Sequence, residues 1–226
     1  SLAVARRVAP QAQTLAVITR GFVGAKRNPA AGAVWGFWRA AATELPSCVV
    51  RLVDVDENTS PSQTILAAMH DDSSESEERA WINGRLLQPL LKPLVSRWRP
   101  RGSFRGTTHV ITGASGGLGT ELATRLARAG AAKLVLVSRR APPRIEAVGS
   151  DIEVECVACD VSVEADVRSL FDNLTFSPDA IWHLAGVVDD GAVATVSVDR
   201  FEKVLAPKVD GTELLARCAP ATTKVV

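Results

Sequence analysis

The sequence predicts an α/β protein with two parallel β-sheets, each flanked by helices. Short apolar runs rich in Val, Ile and Leu alternate with amphipathic segments along both halves of the 226 residues. This pattern is typical of parallel sheets, whose crossover helices cover both faces. A glycine-rich turn in the second half joins a strand directly to a helix, and a Pro- and Arg-rich stretch, 89–106, has the composition of a linker. We therefore expect one unit over residues 1–103 and a second over 104–226.

The first half contains the elements of one small unit. Hydrophobic spacing predicts strands over 14–19 and 48–55, helices over 28–44 and 62–70, and a strand or hairpin over 80–87. The hairpin prediction rests on Asn83-Gly84, a pair that favours the tight turn between antiparallel strands. The acidic, serine-rich run 71–78 is either a binding patch or a solvated loop. The loop is favoured, because like charges and serines do not build a core.

The second half alternates strand and helix more regularly. Apolar runs predict strands over 109–112, 134–137, 152–159 and 180–184, with a fifth beginning at 223. Helical spacing predicts helices over 117–129, 163–174 and 198–218. The last of these should bend at Pro207, which has no backbone N–H to donate.

Composition and charge exclude several classes of function. A formal net charge of +1 argues against nucleic acid or an anionic membrane as the main partner. No apolar run approaches the roughly 20 residues that span a bilayer, and the N-terminal residues lack the apolar core of a signal peptide. A cytoplasmic location is therefore expected. The first residue is Ser1 rather than Met, which suggests a piece of a longer polypeptide.

The four cysteines include one C-x-x-C pair, Cys156 and Cys159, which raises the question of a metal site. The pair lies in a segment that alternates like a strand, where positions three apart face opposite sides. No second pair has ligand spacing. Small buried thiols in a reducing compartment are the favoured interpretation, and no metal is expected.

The strongest functional pattern follows the predicted strand 109–112. Seven residues of the form G-x-x-x-G-x-G open the next helix: Gly113, Ala114, Ser115, Gly116, Gly117, Leu118 and Gly119. Glycines permit close approach of the backbone to a pyrophosphate, and the helix N-terminus offers free N–H groups and a positive dipole end. Between a strand and a helix, this pattern predicts a dinucleotide-binding Rossmann unit rather than a merely flexible turn. Its spacing is that of short-chain dehydrogenases/reductases.

The end of the second strand in this half indicates which nicotinamide cofactor is bound. An NAD site places Asp or Glu there to accept hydrogen bonds from the ribose 2′-hydroxyl. This strand instead ends in Ser138, Arg139 and Arg140, whose hydroxyl and guanidinium groups can bind a 2′-phosphate. The alternative is that the arginines are only solvated. The sequence favours NADPH.

Two further strand ends complete the predicted cofactor site. Asp160 and Val161 follow the third strand, where an Asp can reach the adenine amino group. The fourth strand ends in a segment that leaves room for the cofactor, Leu184, Ala185 and Gly186. His183, just before them, is either a general base or a packed, hydrogen-bonded residue. The second reading is favoured for a single His without a partner carboxylate nearby in sequence.

These residues together resemble the ketoreductase domain of a modular or iterative polyketide synthase. The resemblance covers essentially the whole chain. Its first-half matches are 15–20, 28–29, 33–39, 52–54 and 82–85, and its second-half matches are the motifs above, in order. It implies two Rossmann-like subdomains with parallel sheets. The first, 1–103, would be a truncated, cofactor-free structural subdomain, and the second, 104–226, a catalytic NADPH-binding subdomain with a truncated short-chain dehydrogenase/reductase fold.

The resemblance also implies roles for two more segments. Residues 203–211 resemble the helix that carries the family's active-site lysine, which falls on Lys208. This lysine would hold the nicotinamide ribose and lower the pKa of the proton-donating Tyr by placing a cation beside it. Val188, Asp189 and Asp190 resemble the Leu-Asp-Asp signature of B-type ketoreductases, which form a 3R (D) hydroxyl, although Val replaces Leu.

The function implied by the resemblance is reduction of a β-ketoacyl chain on an acyl carrier protein, beside neighbouring domains of a larger synthase. The family's catalytic Ser and Tyr lie beyond the fifth strand, and this chain contains no Tyr. We therefore expect it to be inactive alone. Three alternatives stay open. They are an inactive pseudo-ketoreductase serving as scaffold or cofactor-binding module, a stand-alone NADPH-sensing regulator, and an animal-type fatty-acid synthase, which shares much of this layout.

Overall fold

The computed structural model describes residues 2–23, 28–69, 77–93, 103–148 and 152–226. The chain divides into two compact units, one comprising 1–96 and 191–196 and the other 97–190 and 197–226. Most of the predicted acidic run and much of the predicted linker lie outside the described residues. Within the described part of the chain, no helix is long and apolar enough to cross a membrane.

The first unit is a four-stranded sheet with helices on both faces. Its elements are α1 (Leu2–Arg7), a 3-10 turn (Ala9–Gln11), β1 (Thr14–Arg20), α2 (Pro29–Thr43), β2 (Val49–Val55), α3 (Pro61–Met69), β3 (Glu77–Ile82) and β4 (Arg85–Leu87). Strands β1, β2 and β3 are parallel, and β4 is antiparallel to β3. The predicted hairpin is confirmed, with Asn83 and Gly84 both at positive φ in its turn. Helix α1 has no counterpart in the sequence prediction.

Helix α2 shows how local sequence produces this packing. The Asn28 side chain caps its N-terminus by accepting a backbone hydrogen bond at 3.0 Å, and Pro29 occupies a first-turn position that needs no N–H. Trp35, Trp38 and Ala41 recur every three residues and are almost fully buried in the core shared with β2. Their spacing turns one face of the helix toward the sheet.

A buried hydrogen-bond chain holds the turn that follows β1. Asp54 on β2 is fully buried, and its carboxylate accepts hydrogen bonds from the Thr19 hydroxyl (2.7 Å) and the Val23 N–H (2.8 Å). The Trp35 indole N–H donates to the same Thr19 oxygen at 2.7 Å. Phe22 packs on Trp35 with ring centroids 4.4 Å apart. The protein's own side chains therefore occupy the described part of this turn.

Two features of the first unit differ from the sequence prediction. Glu78, assigned to a solvated loop, is part of β3, where its carboxylate pairs with the Arg39 guanidinium at 2.5 and 2.6 Å. Segment 191–196 also belongs to this unit. The Val193 carbonyl accepts from Arg6 Nε at 2.8 Å, and the Val193 N–H donates to the Glu44 carboxylate at 2.7 Å. Both contacts reach backbone atoms, which leave no signal in the sequence.

The second unit is a five-stranded, wholly parallel sheet in the order β7-β6-β5-β8-β9. Its elements are β5 (Thr108–Thr112), α4 (Gly117–Arg128), β6 (Lys133–Ser138), a 3-10 turn (Glu146–Val148), β7 (Glu153–Ala158), α5 (Glu164–Asp172), β8 (Ala180–His183), α6 (Val198–Lys208), α7 (Asp210–Cys218) and β9 (Lys224–Val225). Successive residues of β5 face opposite cores. Val110 packs in the core of α5 and α7, and Ile111 in the core of α4.

The two cysteines of the C-x-x-C pair lie on opposite faces of this sheet, as predicted. Cys156 packs against the core of α4, whereas Cys159 is buried in the core of α5 and α7. Burial, reinforced by the nearby charges of Asp166 and Asp160, raises the pKa of the Cys159 thiol to about 11. Among the residues that the structure describes, no group of three or more His, Cys, Asp or Glu side chains is placed to hold a metal ion.

The prediction of one bent helix over 198–218 is wrong. Two helices, α6 and α7, meet at Val209, whose backbone has φ −97° and ψ −65°. Pro207 lies inside the last turn of α6 and has no N–H for the carbonyl four residues earlier, which weakens the helix at this point. The break separates Lys208, the last residue of α6, from Asp210, the first of α7.

A buried histidine lies at the amino end of the same sheet. His109 is 2% exposed, and its Nδ1 accepts a hydrogen bond from the Trp182 indole N–H at 3.3 Å, because an indole N–H can only donate. Its Nε2–H therefore points to the Thr107 hydroxyl oxygen, 2.8 Å away. Burial lowers the pKa of His109, and the opposing effect of the Asp179 charge is smaller.

We expect the stability of the protein to depend on the ionisation of His109. Its pKa is lower in the folded than in the unfolded protein, where it is about 6.5, so the unfolded chain binds the proton more readily. The stabilisation is fully present above the unfolded pKa and is lost as the pH falls toward the lowered folded value. Thermal unfolding measured from about pH 7.5 to about pH 5 should show a falling Tm, and His109→Gln should flatten the slope. An unchanged slope in the variant would assign the pH dependence to other groups.

Candidate cofactor-binding site

The candidate site is a groove at the carboxyl end of the second sheet. The chain order reverses between β5 and β8, and open parallel sheets bind ligands outside the strand ends at such a switch point. The groove has a volume of about 590 Å³ and is lined by the turns after β5, β6, β7 and β8 and by one face of α6.

The turn after β5 depends on two glycines. Gly113 has φ +69°, and a Cβ atom there would lie 2.5 Å from the carbonyl oxygen of Leu184. A Cβ atom on Gly119 would lie 2.5 Å from the carbonyl oxygen of Gly113. Gly116 is the N-cap of α4 and supplies no side-chain hydrogen bond. The first N–H groups of the helix are therefore left for a ligand, and an anion suits them best.

Two serine hydroxyls connect this turn to the end of β6. The Oγ atoms of Ser115 and Ser138 are 3.0 Å apart, and Ser138 Oγ also accepts the Ser115 N–H at 3.2 Å. Arg139 and Arg140 follow, both exposed and both lining the groove. One end of the groove thus combines two hydroxyls with two guanidinium groups.

Asp160 and Val161 line the next part of the groove, after β7. Ser162 donates to Asp160 Oδ1 through its hydroxyl at 2.6 Å and its N–H at 3.0 Å. These bonds, with a smaller contribution from the positive charge of Arg139, lower the pKa of Asp160, so its carboxylate is ionised at neutral pH. Val161 is buried against α7, where a Cβ on Gly211 would lie 3.0 Å from Val161 Cγ2.

The turn after β8 is held by hydrogen bonds to the Thr112 side chain. The Thr112 hydroxyl oxygen accepts hydrogen bonds from the N–H groups of Leu184 and Ala185, each at 3.2 Å. A Cβ on Gly186 would lie 3.5 Å from Cε of Lys208, so the lysine stem lies over this glycine. His183 is hydrogen-bonded through both ring nitrogens, and the structure therefore favours the hydrogen-bonded reading of this residue over that of a general base.

The residues assigned to stereocontrol lie outside the groove lining. Val188 and Asp190 are exposed. Asp189 forms an ion pair with Arg200 of α6, whose Nε is 3.1 Å from Oδ1, and the same guanidinium donates to the Asp190 carbonyl at 2.8 Å. The hydrogen bond to Arg200 lowers the pKa of Asp189. The Asp189 carboxylate is thus paired with Arg200.

The groove is lined by several residues that the sequence analysis did not predict, and it lacks several that it did predict. Its unpredicted lining includes Lys203, Ala206 and Pro207, which share one face of α6 through i, i+3, i+4 spacing. That spacing is visible in the sequence, but the face that meets the groove is not. The other unpredicted lining residues are Val137, Ala141, Pro143, Cys159, Ser162 and Val187. The predicted residues that do not line it, besides the stereocontrol segment, are Ala114, Gly117, Leu118, Gly119 and Lys208.

Residues 107–225, which build this sheet and groove, match the family model of the ketoreductase (KR) domain. The chain belongs to the KR domain family. Residues 2–91 of this ketoreductase match the model of the Rossmann fold domain of the polyketide synthase extender module SpnB. Members of the KR and short-chain dehydrogenase/reductase class are oxidoreductases that use nicotinamide cofactors.

Similar proteins are polyketide synthases and their ketoreductases. The chain is 36% identical over 214 residues to the spectinabilin polyketide synthase system protein NorA' of Streptomyces orinoci, covering 87% of this chain and 6% of that protein. It is 34% identical over 208 residues to naringenin synthase of Pestalotiopsis fici, covering 85% and 7%. A solved structure of A-type ketoreductases from a modular polyketide synthase superposes with a TM-score of 0.77 at 27% identity, covering 91% of this chain and 47% of that one. The ketoreductase chain thus spans only a small part of these synthases.

We expect Gly119→Ala to destabilise the protein and Gly117→Ala to be tolerated. A methyl group at Gly119 must displace the Gly113 backbone, and overpacking of this kind costs about 1–3 kcal/mol. At Gly117 a Cβ would meet nothing within 4 Å beyond its chain neighbours and its own helix backbone. Alanine there restricts the unfolded chain, which should stabilise the folded protein by up to about 1 kcal/mol. Tm values of the two variants without ligand test this. Equal losses would show that the turn does not depend on the Gly113–Gly119 approach.

Proposed function

We propose that this chain is the cofactor-binding part of a polyketide synthase ketoreductase. The enzyme would use NADPH to reduce the β-keto group of an acyl chain, carried on an acyl carrier protein, to a β-hydroxyl. When bound, NADPH supplies the hydride that adds to the carbonyl carbon. The first unit would act as the cofactor-free structural subdomain and the second as the catalytic subdomain, with neighbouring synthase domains as further partners.

The observation that carries the cofactor proposal is the group of polar side chains at the end of β6. A 2′-phosphate there would meet the hydroxyls of Ser115 and Ser138, 3.0 Å apart, and the guanidinium groups of Arg139 and Arg140. No carboxylate stands at this strand end to accept hydrogen bonds from a 2′-hydroxyl. Charge-assisted bonds to a phosphate are stronger than neutral ones, which favours NADPH over NADH.

The remaining parts of the dinucleotide fit the rest of the groove. The glycine turn is a cradle that a Cβ atom would fill, and its open helix N–H groups suit the pyrophosphate. Both Ser162 bonds fall on Oδ1 of Asp160, so Oδ2 can accept the adenine amino group. Leu184, Ala185 and Gly186 would receive the nicotinamide half.

Lys208 is the residue of this chain that we assign to catalysis. Cε of its side chain lies 3.5 Å from the Cβ position of Gly186, which supports a role at the end of the groove that we assign to the nicotinamide. There it would hold the ribose hydroxyls and, as a fixed cation, favour the ionised form of the family's proton-donating Tyr. Lys203 lines the groove one turn earlier and would add positive charge near the cofactor phosphates.

The motif Val188-Asp189-Asp190 supports a B-type enzyme and a 3R hydroxyl product. The solved A-type ketoreductases are 27% identical to this chain, so the motif rather than overall likeness carries the stereochemical proposal. Arg200 binds both the Asp189 side chain and the Asp190 carbonyl, and it would hold the motif beside the groove.

NADPH should bind much more tightly than NADH, and the difference should reside in Ser138 and Arg139. Loss of charge-assisted bonds in Arg139→Ala should weaken NADPH binding by roughly 10- to 100-fold, corresponding to about 1.5–3 kcal/mol. NADH affinity should change little. Arg128→Ala removes an equal charge from the last turn of α4 and serves as the matched control. Nucleotide fluorescence titration measures the affinity of each protein for NADPH and for NADH, and equal binding of the two nucleotides by the unmodified chain would contradict the proposal.

Reduction of a β-ketoacyl thioester tests the activity itself. The chain should be extended past Val226 to the length of the solved ketoreductases and compared with the chain alone. NADPH consumption and a 3R product from the extended protein would support the proposed reaction. Tight NADPH binding without turnover would instead favour a pseudo-ketoreductase, and a 3S product would overturn only the stereochemical assignment.

A further inference from the structure

We propose that His183 is a positioning residue that sets the location of Lys208. One imidazole ring joins three elements: the end of β5, the end of β8 and the last turn of α6. The inference builds on the proposed role of Lys208 and adds a residue that the family resemblance does not assign.

The hydrogen-bond partners of His183 determine which nitrogen carries the proton. Nε2 is 2.8 Å from the carbonyl oxygen of Pro207, and a carbonyl can only accept, so Nε2 is the donor. Nδ1 is 2.7 Å from the Thr112 hydroxyl, which donates to it when the ring is neutral. The Thr112 oxygen in turn accepts the N–H groups of Leu184 and Ala185. The Thr112 hydroxyl thus donates one hydrogen bond and accepts two, which is its full capacity. This fixes the donor and the acceptor of each hydrogen bond from Thr112 through His183 to Pro207.

The Pro207 carbonyl is available because α6 ends here. The last four carbonyls of an α-helix have no partner within the helix and need others. In this turn the Leu205 carbonyl accepts the Val209 N–H at 2.7 Å, and the Lys208 carbonyl accepts the Thr212 hydroxyl at 2.6 Å. His183 supplies the donor for Pro207 from a different element. The break between α6 and α7 is therefore tied to the sheet at this point.

The consequence for Lys208 follows from chain connectivity. Lys208 comes one residue after Pro207, and Gly186 comes three residues after His183. Lys208 Cε lies 3.5 Å from the Cβ position of Gly186. Both sides of this contact are thus connected to the same imidazole ring. Loss of the Nε2–H bond would free the end of α6, and the lysine would sample positions away from Gly186.

The first arm of the test concerns the hydrogen bond alone and does not depend on the proposed function. Two-dimensional NMR of the chain with 15N-labelled histidine should show His183 as the Nε2–H tautomer, with an N–H that exchanges slowly with water. His183→Phe identifies the signal. An Nδ1–H tautomer, or a rapidly exchanging Nε2–H, would overturn the proposed hydrogen bonds from Thr112 to His183 and from His183 to Pro207.

The second arm is a double-mutant cycle on NADPH affinity with His183→Asn, which lacks a donor at the Nε2 position, and Lys208→Ala. If His183 acts through Lys208, His183→Asn should weaken binding several-fold in the wild-type background and less than about twofold in Lys208→Ala. His109→Gln is the matched control, a buried His of the same sheet whose effect should be the same in both backgrounds. His183→Gln should retain wild-type affinity, because its amide N–H can take the place of the Nε2–H.

The outcomes separate the two proposals. Equal losses from His183→Asn in both backgrounds, with Lys208→Ala itself weakening binding, would overturn the positioning role and leave the role of Lys208 intact. Unchanged affinity in Lys208→Ala would overturn the role of Lys208 and with it any positioning through that residue. Should His183→Asn fail to fold, His183→Phe, which also lacks the Nε2–H, provides the same comparison in the two Lys208 backgrounds.

Discussion

At the end of β5 the backbone of Gly113 lies so close to Leu184 that a Cβ atom would be 2.5 Å from the Leu184 carbonyl oxygen. This approach brings the turns after β5 and β8 together and forms the groove at the point where the strand order reverses. Below it, the Thr112 hydroxyl holds the Leu184 and Ala185 N–H groups. This contact sets the positions of the glycine turn, the start of α4 and the turn after β8 that contains Gly186. A side chain at Gly113 would separate the two turns.

The first unit shows what the same βαβ topology becomes without that constraint. Its turn after β1 is occupied by Phe22 packed on Trp35, and its backbone is bound by the buried carboxylate of Asp54. A buried carboxylate is stable here because hydroxyl and N–H donors satisfy it. The described part of this turn in the first unit is therefore filled by side chains, whereas the corresponding turn of the second unit is left open by glycines.

The balanced net charge of the chain conceals a local separation of charge. Arg139, Arg140 and Lys203 line the groove, whereas nearby acids are already bound by donors of the protein. Asp160 accepts two hydrogen bonds from Ser162, and Asp189 is paired with Arg200. The available charges of the groove are therefore mainly positive, as an anionic dinucleotide requires. The tied carboxylates are ionised at neutral pH, and they also fix the turns in which they lie.

Local sequence determined the elements, because a strand followed by glycines and a helix has few other solutions. The hairpin at Asn83-Gly84 and the opposite faces of Cys156 and Cys159 depend on neighbouring residues alone. The glycine pattern predicted its turn, but the close approach to Leu184 came from the fold. The Arg200 contacts and the hydrogen bond from His183 to Pro207 were decided by tertiary structure. They join residues 10 to 24 positions apart, and two of them reach backbone carbonyls. A carbonyl is present at every residue, so only the fold specifies which one a side chain meets.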